Sequence, residues 1–259
     1  MSESLVQIDT SRVAITVVTL NRPDKRNALS IELGRQVCDA FDAAAKNRTQ
    51  RAIILNANGP SFCAGLDLKE ANDPKLAHES AQTLAKMFLA IATSPLITIA
   101  AAQGAAVGGG AGMLAACDFA IGADDLKIGY PEVHRGIVAA IVTTLLRRQL
   151  GERVVRELIL LGQTVEAVRA LDLGLINTIA PTGAETDTAI ELAEDSLRGA
   201  PGAIARSKRL LDTLAPRTIE QDIRLALDFH LHARESAEAA EGTAAFLEKR
   251  KPKWGPRPD

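Results

Sequence analysis

Two glycine-rich segments of this 259-residue chain have the composition to do chemistry with their backbones. One is Ser61-Phe62-Cys63-Ala64-Gly65-Leu66-Asp67-Leu68-Lys69-Glu70, and the other is Gln103-Gly104-Ala105-Ala106-Val107-Gly108-Gly109-Gly110-Ala111-Gly112. Each follows an apolar strand pattern and leads into a helical one. Glycine lets the main chain come close to a ligand, and the first N–H groups of a helix have no partner inside it. Two such loops side by side would aim two N–H donors at one oxygen that gains charge during a reaction. The same glycines also suit tight strand-to-helix packing, and the residues alone leave both readings open. Gly110-Ala111-Gly112-Met113-Leu114-Ala115 fits the dinucleotide pattern G-x-G-x-x-G/A, but that turn should follow its strand at once, and here Gln103 to Gly109 intervene. No Gly-Lys-Ser/Thr run is present, which excludes a P-loop.

The side chains offer fewer candidates. Glu132, after Pro131, suits either a general acid–base carboxylate or a solvated acid at a helix start. His134 lies two residues on and would point elsewhere. His230 and His232, two apart, fall on different helix faces and make a poor metal pair. Cys63 has no histidine nearby in sequence to activate it and reads as a small buried residue. Cys38, Cys63 and Cys117 are unclustered, with no CxxC, so neither a disulfide framework nor a zinc site is expected. A reducing, cytoplasmic compartment follows. The start, Met1 to Asp9, lacks a basic then apolar pattern, so no signal peptide is expected.

The elements that must hold these residues follow from the patterning. Hydrophobic residues make up 47% and charged residues 24%, enough for a folded core. Thirty basic against 32 acidic residues give a net charge of −2, and aromatics are 3%, which disfavours nucleic acid and anionic membranes as partners. Pro95 to Gly112 is Ala- and Gly-rich and holds Gln103, unlike a membrane span. Strands are expected over Val6–Asp9, Val13–Leu20, Arg51–Asn56, Leu96–Ala102 and Asp118–Ile121. Helices are expected from Ser30 to about Lys46 and over residues 76–92. After residue 140 the pattern is helical except Leu175–Ala180. Thr164 is expected to open one helix, residues 184–198 to form another, and Thr218 with Gln221 to make a capping box. This predicts an α/β core over residues 1–183 with parallel strands and a helical region over 184–259, working as one unit.

With these residues in view, the sequence resembles the enoyl-CoA hydratase/isomerase family, the crotonase superfamily. Asn21-Arg22-Pro23 followed by Asn27-Ala28-Leu29 is similar to its first-turn motif. Phe62 to Glu70 resembles its first oxyanion loop, and Gly104 with Gly108-Gly109-Gly110 and Cys117-Asp118 its second. Gly129-Tyr130-Pro131-Glu132 resembles the segment with a catalytic glutamate, and Phe246 to Lys251 the C-terminal motif. The resemblance implies a spiral of ββα turns with a helical C-terminal trimerisation region, a homotrimer or hexamer, and an acyl-CoA thioester substrate. It implies oxyanion donors at Leu66 and Gly109 and an acid–base role for Glu132. Ala28, Ala64, Asp67, Leu68 and Lys69 would contact substrate, and Lys25, Arg26 and Lys249 would lie near CoA phosphates, with Lys249 supplied by a neighbouring subunit. No metal or further cofactor is implied, since CoA is part of the substrate.

One departure bears on the reaction. Hydratases of the family use two glutamates, the other standing two residues past the triple glycine, where this chain has Gly112. The Pro-Gly-rich stretch common after Glu132 is replaced by Gly136 to Thr144. The expected activity is hydration of a 2-enoyl-CoA. A one-carboxylate Δ3-Δ2 enoyl-CoA isomerase, a branched-chain hydratase of the methylglutaconyl type, a decarboxylase and a thioesterase are alternatives, and a non-catalytic CoA- or RNA-binding member is one of another class.

Overall fold

The protein is described by a computed structural model over residues 4–253. Strands β1 (Val6–Asp9) and β2 (Ile15–Leu20) pair antiparallel. β2 starts later than Val13 because Ala14 holds a left-handed φ of 62°, which interrupts the extended run. Helix α1 (Ile31–Lys46) begins at Ser30, whose hydroxyl accepts from the Leu33 N–H, and buries Leu33, Val37, Phe41 and Ala44. β3 (Ala52–Ala57), α2 (Leu68–Asn72), α3 (Ala77–Ala92) and β4 (Ile97–Ala102) follow. Then come β5 (Ala105–Val107), α4 (Gly109–Ala116), β6 (Phe119–Ala123) and β7 (Lys127–Gly129).

The main sheet runs β1-β2-β3-β4-β6 and ends on β9 (Thr178–Ala180); every pair after the first is parallel. After β4 and β6 the chain leaves this sheet for a second, smaller one made of β5, β7 and β8 (Thr164–Glu166), and single parallel bridges Leu29–Leu66 and Cys63–Ala106 continue that layer backwards. Each turn of the chain is thus a main-sheet strand, a short second-layer segment and a helical return, stacked on the turn before. The stacking brings the ends of the second-layer segments together. β4 is buried along its whole length. One of its faces joins the core of α1, α3 and α4, while Ile97, Ile99 and Ala101 face the other way with Ile15, Ile54 and Ile121.

Helices α5 (Ala140–Gln149), α6 (Glu152–Leu161) and α7 (Ala167–Leu173) bridge the core to the C-terminal part, formed by α8 (Glu185–Ser196), α9 (Pro201–Leu214), α10 (Ile219–Arg234) and α11 (Ala237–Leu247). Thr164 opens a strand, not a helix: Thr164 pairs with Gly129 and Val165 with Ile128, and the helix waits until Ala167. The strand expected from Leu175 narrows to Thr178–Ala180, because Gly174 caps α7 and Leu175 still bonds back to Ala170. α8 lays Ala189, Ile190 and Ala193 on the sheet's second face, so it is part of the core. The capping box at Thr218 and Gln221 is present. α9 is tied down by Lys208, whose Nζ reaches Asp118 Oδ2 and the Leu96 carbonyl, both at 2.6 Å. Arg148 holds Asp212 at 2.9 Å and Asp222 at 3.1 Å, linking α5 to α9 and α10. Among the described residues no helix is long and apolar enough to cross a membrane.

Candidate active site

The first loop is set by the turn before α1. Leu29 donates to the Gly65 carbonyl at 2.8 Å, and Asp67 donates to the Leu29 carbonyl at 2.9 Å. A parallel bridge of this kind turns the N–H of the residue between, Leu66, away from its partner strand. Among the described residues that N–H donates to no backbone carbonyl. Gly109 is the first residue of α4, so its N–H has no acceptor within the helix. Leu66 and Gly109 line one cavity. The loops touch there: a Cβ on Gly65 would stand 2.9 Å from the Val107 carbonyl oxygen and 3.9 Å from the Gly109 nitrogen. The left-handed φ of 92° at Gly65 also suits glycine. Two backbone donors, one at an isolated bridge and one at a helix start, facing one cavity, can stabilise an oxyanion.

Glu132 enters the same cavity from the next turn of the spiral. It sits in a 3₁₀ turn, Pro131–Arg135, closed by Gly136 in the left-handed conformation. Its Oε1 lies against the Gly108 backbone, where a Cβ would stand 2.7 Å away, so the triple glycine admits the carboxylate. Its Oε2 is buried with no hydrogen-bond partner. Burial raises the Glu132 carboxyl above the ordinary carboxylate range, against smaller downward pulls from a backbone hydrogen bond and the Arg135 charge. A raised, unpartnered carboxylate in a cleft is suited to taking and returning protons. Gly112 does not line this cavity. A Cβ there would stand 2.5 Å from Phe88 Cζ, so the ring from α3 fills the place of a second carboxylate. Cys63 is buried, which pushes its thiol up to about 12 and leaves it unionised. Among the described residues no three His, Cys, Asp or Glu side chains gather around a metal-sized space.

The other expected site residues divide. Ala64 and Leu68 line the cavity. The Ala28 carbonyl accepts from Arg22 Nη1 at 3.0 Å, beside the loop. Asp67 is used internally: it pairs with Arg22 at 2.7 Å and caps α2 through the Lys69 N–H at 3.1 Å. Burial alone would raise its carboxyl, but the Arg22 hydrogen bond and charge and the N–H groups at the start of α2 outweigh it and hold the carboxylate below the usual range. Lys25 and Arg26 are exposed on the turn whose Arg26 carbonyl accepts from the Ala64 N–H. Lys69 is exposed on α2, and Lys249 is exposed beyond the end of α11; neither lines the cavity.

Three further polar residues do line it: Arg135, His230 and Arg234. Sequence reasoning weighed His230 only as a metal ligand and did not consider the two arginines. Arg135 stands one tight turn from Glu132. His230 continues the buried stripe Ile219, Ile223, Ala226 of α10, and a histidine in phase with such a stripe was the available signal. Burial pushes His230 down to about 4, with a smaller push from Arg234, so it is neutral.

The family model for enoyl-CoA hydratase/isomerase matches residues 10–257. A relative from Thermus thermophilus that carries the enoyl-CoA hydratase name is 38% identical over 96% of this chain and all of its own. An enoyl-CoA isomerase/hydratase of Mycosarcoma maydis is 36% identical over 91% of this chain and 90% of its own. The crystal structure of an enoyl-CoA hydratase from Mycobacterium avium superposes with a TM-score of 0.87 at 31% identity, covering 97% of this chain and 99% of that one. With the spiral fold, the paired loops and the cavity between them, these matches show that the chain belongs to the enoyl-CoA hydratase/isomerase family of enzymes.

Proposed function

We propose that this enzyme adds water across the double bond of a 2-enoyl-CoA thioester, with one carboxylate moving the proton. The observation that carries the reading is the meeting of the Leu66 and Gly109 N–H groups with Glu132 in one cavity. The thioester carbonyl accepts from the two N–H groups. Ionised Glu132 takes a proton from water as its oxygen bonds to C3, and the C2=C3 electrons move onto the thioester oxygen as an enolate. Glu132 then returns the proton to C2. Oxygen and both hydrogens of one water are thereby added. Losing one such N–H donor typically costs about 2.7–4 kcal/mol in the transition state. CoA arrives with the substrate and no other cofactor is required.

A second reading has a specific support. Phe88 fills the space beside Gly112, and among the described residues Glu132 is the one carboxylate lining the cavity. One carboxylate suffices to carry a proton from C2 to C4 of a 3-enoyl-CoA. The Mycosarcoma maydis relative bears both names. Assays of crotonyl-CoA hydration and of 3-enoyl-CoA isomerisation, run side by side, separate the two. Faster turnover of the 3-enoyl thioester would replace the first reading by the second.

Lys25, Arg26 and Lys249 are assigned to CoA phosphates, with Lys249 reaching a neighbouring subunit's site. Their exposure leaves their charges available. A trimer or hexamer is part of this reading: Leu210, Leu211 and Leu214 of α9 and Phe229 of α10 are exposed apolar side chains suited to a subunit contact. Light scattering at micromolar concentration tests it, and a stable 27.5 kDa monomer would remove it. A cytoplasmic location accompanies the reading, supported by the three unpaired cysteines.

A further inference from the structure

The cavity that holds Glu132 is unusual in its charge. Leu84, Ile137, Val138 and Ile141 give it an apolar wall suited to methylenes. Arg135 and Arg234 add two guanidinium groups to that wall, one from the 3₁₀ turn after β7 and one from the last turn of α10. The ion pairs among the described residues tie up other cations, Arg22, Arg148 and Arg250 included, and neither Arg135 nor Arg234. Arg135 is instead held over the Phe246 ring, 4.3 Å from its centroid. Among the described residues the one carboxylate lining the cavity is that of Glu132; Arg135 feels its charge without an ion pair, and Arg234 has no carboxylate partner. Both guanidinium groups are partly withdrawn from water. A desolvated cation without an ion-pair partner is costly unless a ligand supplies one.

One further polar group lines the same wall. His230 is 5% exposed, and its Nε2 is buried with no hydrogen-bond partner. Its Nδ1 lies 3.4 Å from the Val138 carbonyl oxygen, which can only accept, so Nδ1 carries the proton and Nε2 of the neutral ring is an acceptor, open to a water or a ligand donor. An apolar acyl chain alone would leave both cations unpaired.

The geometry points to an acyl-CoA whose acyl chain ends in a carboxylate, bound by Arg135 and Arg234. This rests on the acyl-CoA reading above and narrows it to dicarboxylic acyl thioesters. Arg234 is the main specificity residue, because Arg135 also feels the Glu132 charge.

The test uses saturated, unreactive ligands, so that binding is read apart from turnover. Calorimetry compares glutaryl-CoA with pentanoyl-CoA and adipyl-CoA with hexanoyl-CoA on the wild-type protein. A charge-assisted pair predicts a preference of roughly 10- to 100-fold for the carboxylated member of at least one pair. In Arg234→Gln, with fold checked by circular dichroism, that ratio should collapse towards one. Equal or weaker binding of both carboxylated ligands to the wild type overturns the inference, as does a preference that survives Arg234→Gln. Crotonyl-CoA and the matching 2-enoyl dicarboxylic thioester are then assayed for hydration. Hydration without carboxylate preference ends this inference alone. Carboxylate preference without hydration or isomerisation ends the catalytic reading alone.

Discussion

Gly112 is the position where the packing makes the sharpest prediction. A Cβ placed there stands 2.5 Å from Phe88 Cζ and 3.1 Å from both Cε atoms, closer than real side chains approach. Phe88 has no solvent exposure, and Met87 and Ile91 beside it on α3 are buried too. The ring must therefore move within a filled core. Overpacking typically costs about 1–3 kcal/mol, and a contact this short belongs at the upper end. Replacing a mid-helix glycine by alanine returns about 1 kcal/mol. Gly112→Ala should thus destabilise by about 2 kcal/mol. At roughly 2–4 °C per kcal/mol for a chain of this size, Tm should fall by about 4–8 °C in calorimetry. Phe88→Leu shortens the ring side, so Phe88→Leu/Gly112→Ala should be more stable than the sum of the single effects, by about 1 kcal/mol or more. Gly112→Glu adds an unpartnered carboxyl to the same clash and should prevent folding unless Phe88 is cut back as well. A Gly112→Ala protein with unchanged or raised Tm, or strict additivity with Phe88→Leu, would refute this account of why the second carboxylate is missing.

Other expectations follow from the site. Leu66→Pro removes an N–H and should lower kcat by about 10²–10³-fold with circular dichroism unchanged; a folded variant at full rate removes Leu66 from the oxyanion site. Gly108→Ala places a Cβ 2.7 Å from Glu132 Oε1 at a φ of 54°, and activity should fall more than Tm; an unchanged rate would show that this contact does not position the carboxylate. Because burial raises the Glu132 pKa, its folded form favours the proton, and this stabilisation is lost as pH rises from the unfolded value through the folded one. Hydration, which needs the carboxylate, should fall as pH drops through that raised pKa, and Glu132→Gln should raise Tm at pH 7 but little at pH 4. His230 has the opposite sign: lowered from 6.5 to about 4, it supports folding above pH 6.5 and withdraws that support as pH falls towards 4. His230→Leu should flatten the loss of Tm across that window, and an unaltered slope would show that His230 is not the titrating group.

Much of this was legible in short-range patterns. α1 announced itself by Ser30 and the Leu33–Val37–Phe41 stripe, α10 by the Thr218–Gln221 pair, and β4 by an unbroken apolar run. The two glycine-rich loops stood out by their own composition, and the family resemblance singled out Leu66, Gly109 and Glu132, which the structure brings to one cavity. β5, β7 and β8 were not legible, since three-residue strands carry too little periodicity and are defined by their partners. Thr164 looked like a helix start because a threonine before a helical pattern serves as a cap in isolation, and pairing with Gly129 overrides that preference. The pairing of the Asp67 side chain was not legible either, because its partner, Arg22, lies far back in the chain. Arg234 and His230 escaped for the same reason: nothing local to α10 tells that the helix folds back over Glu132.

The central claim is that Glu132 moves the proton while the Leu66 and Gly109 N–H groups hold the enolate oxygen. Steady-state hydration by Glu132→Gln tests it most directly, with acyl-CoA binding and circular dichroism measured on the same preparation. General acid–base catalysis typically supplies about 10²–10⁴-fold, so kcat should fall by that order while binding persists. A folded Glu132→Gln enzyme turning over at the wild-type rate would contradict the account.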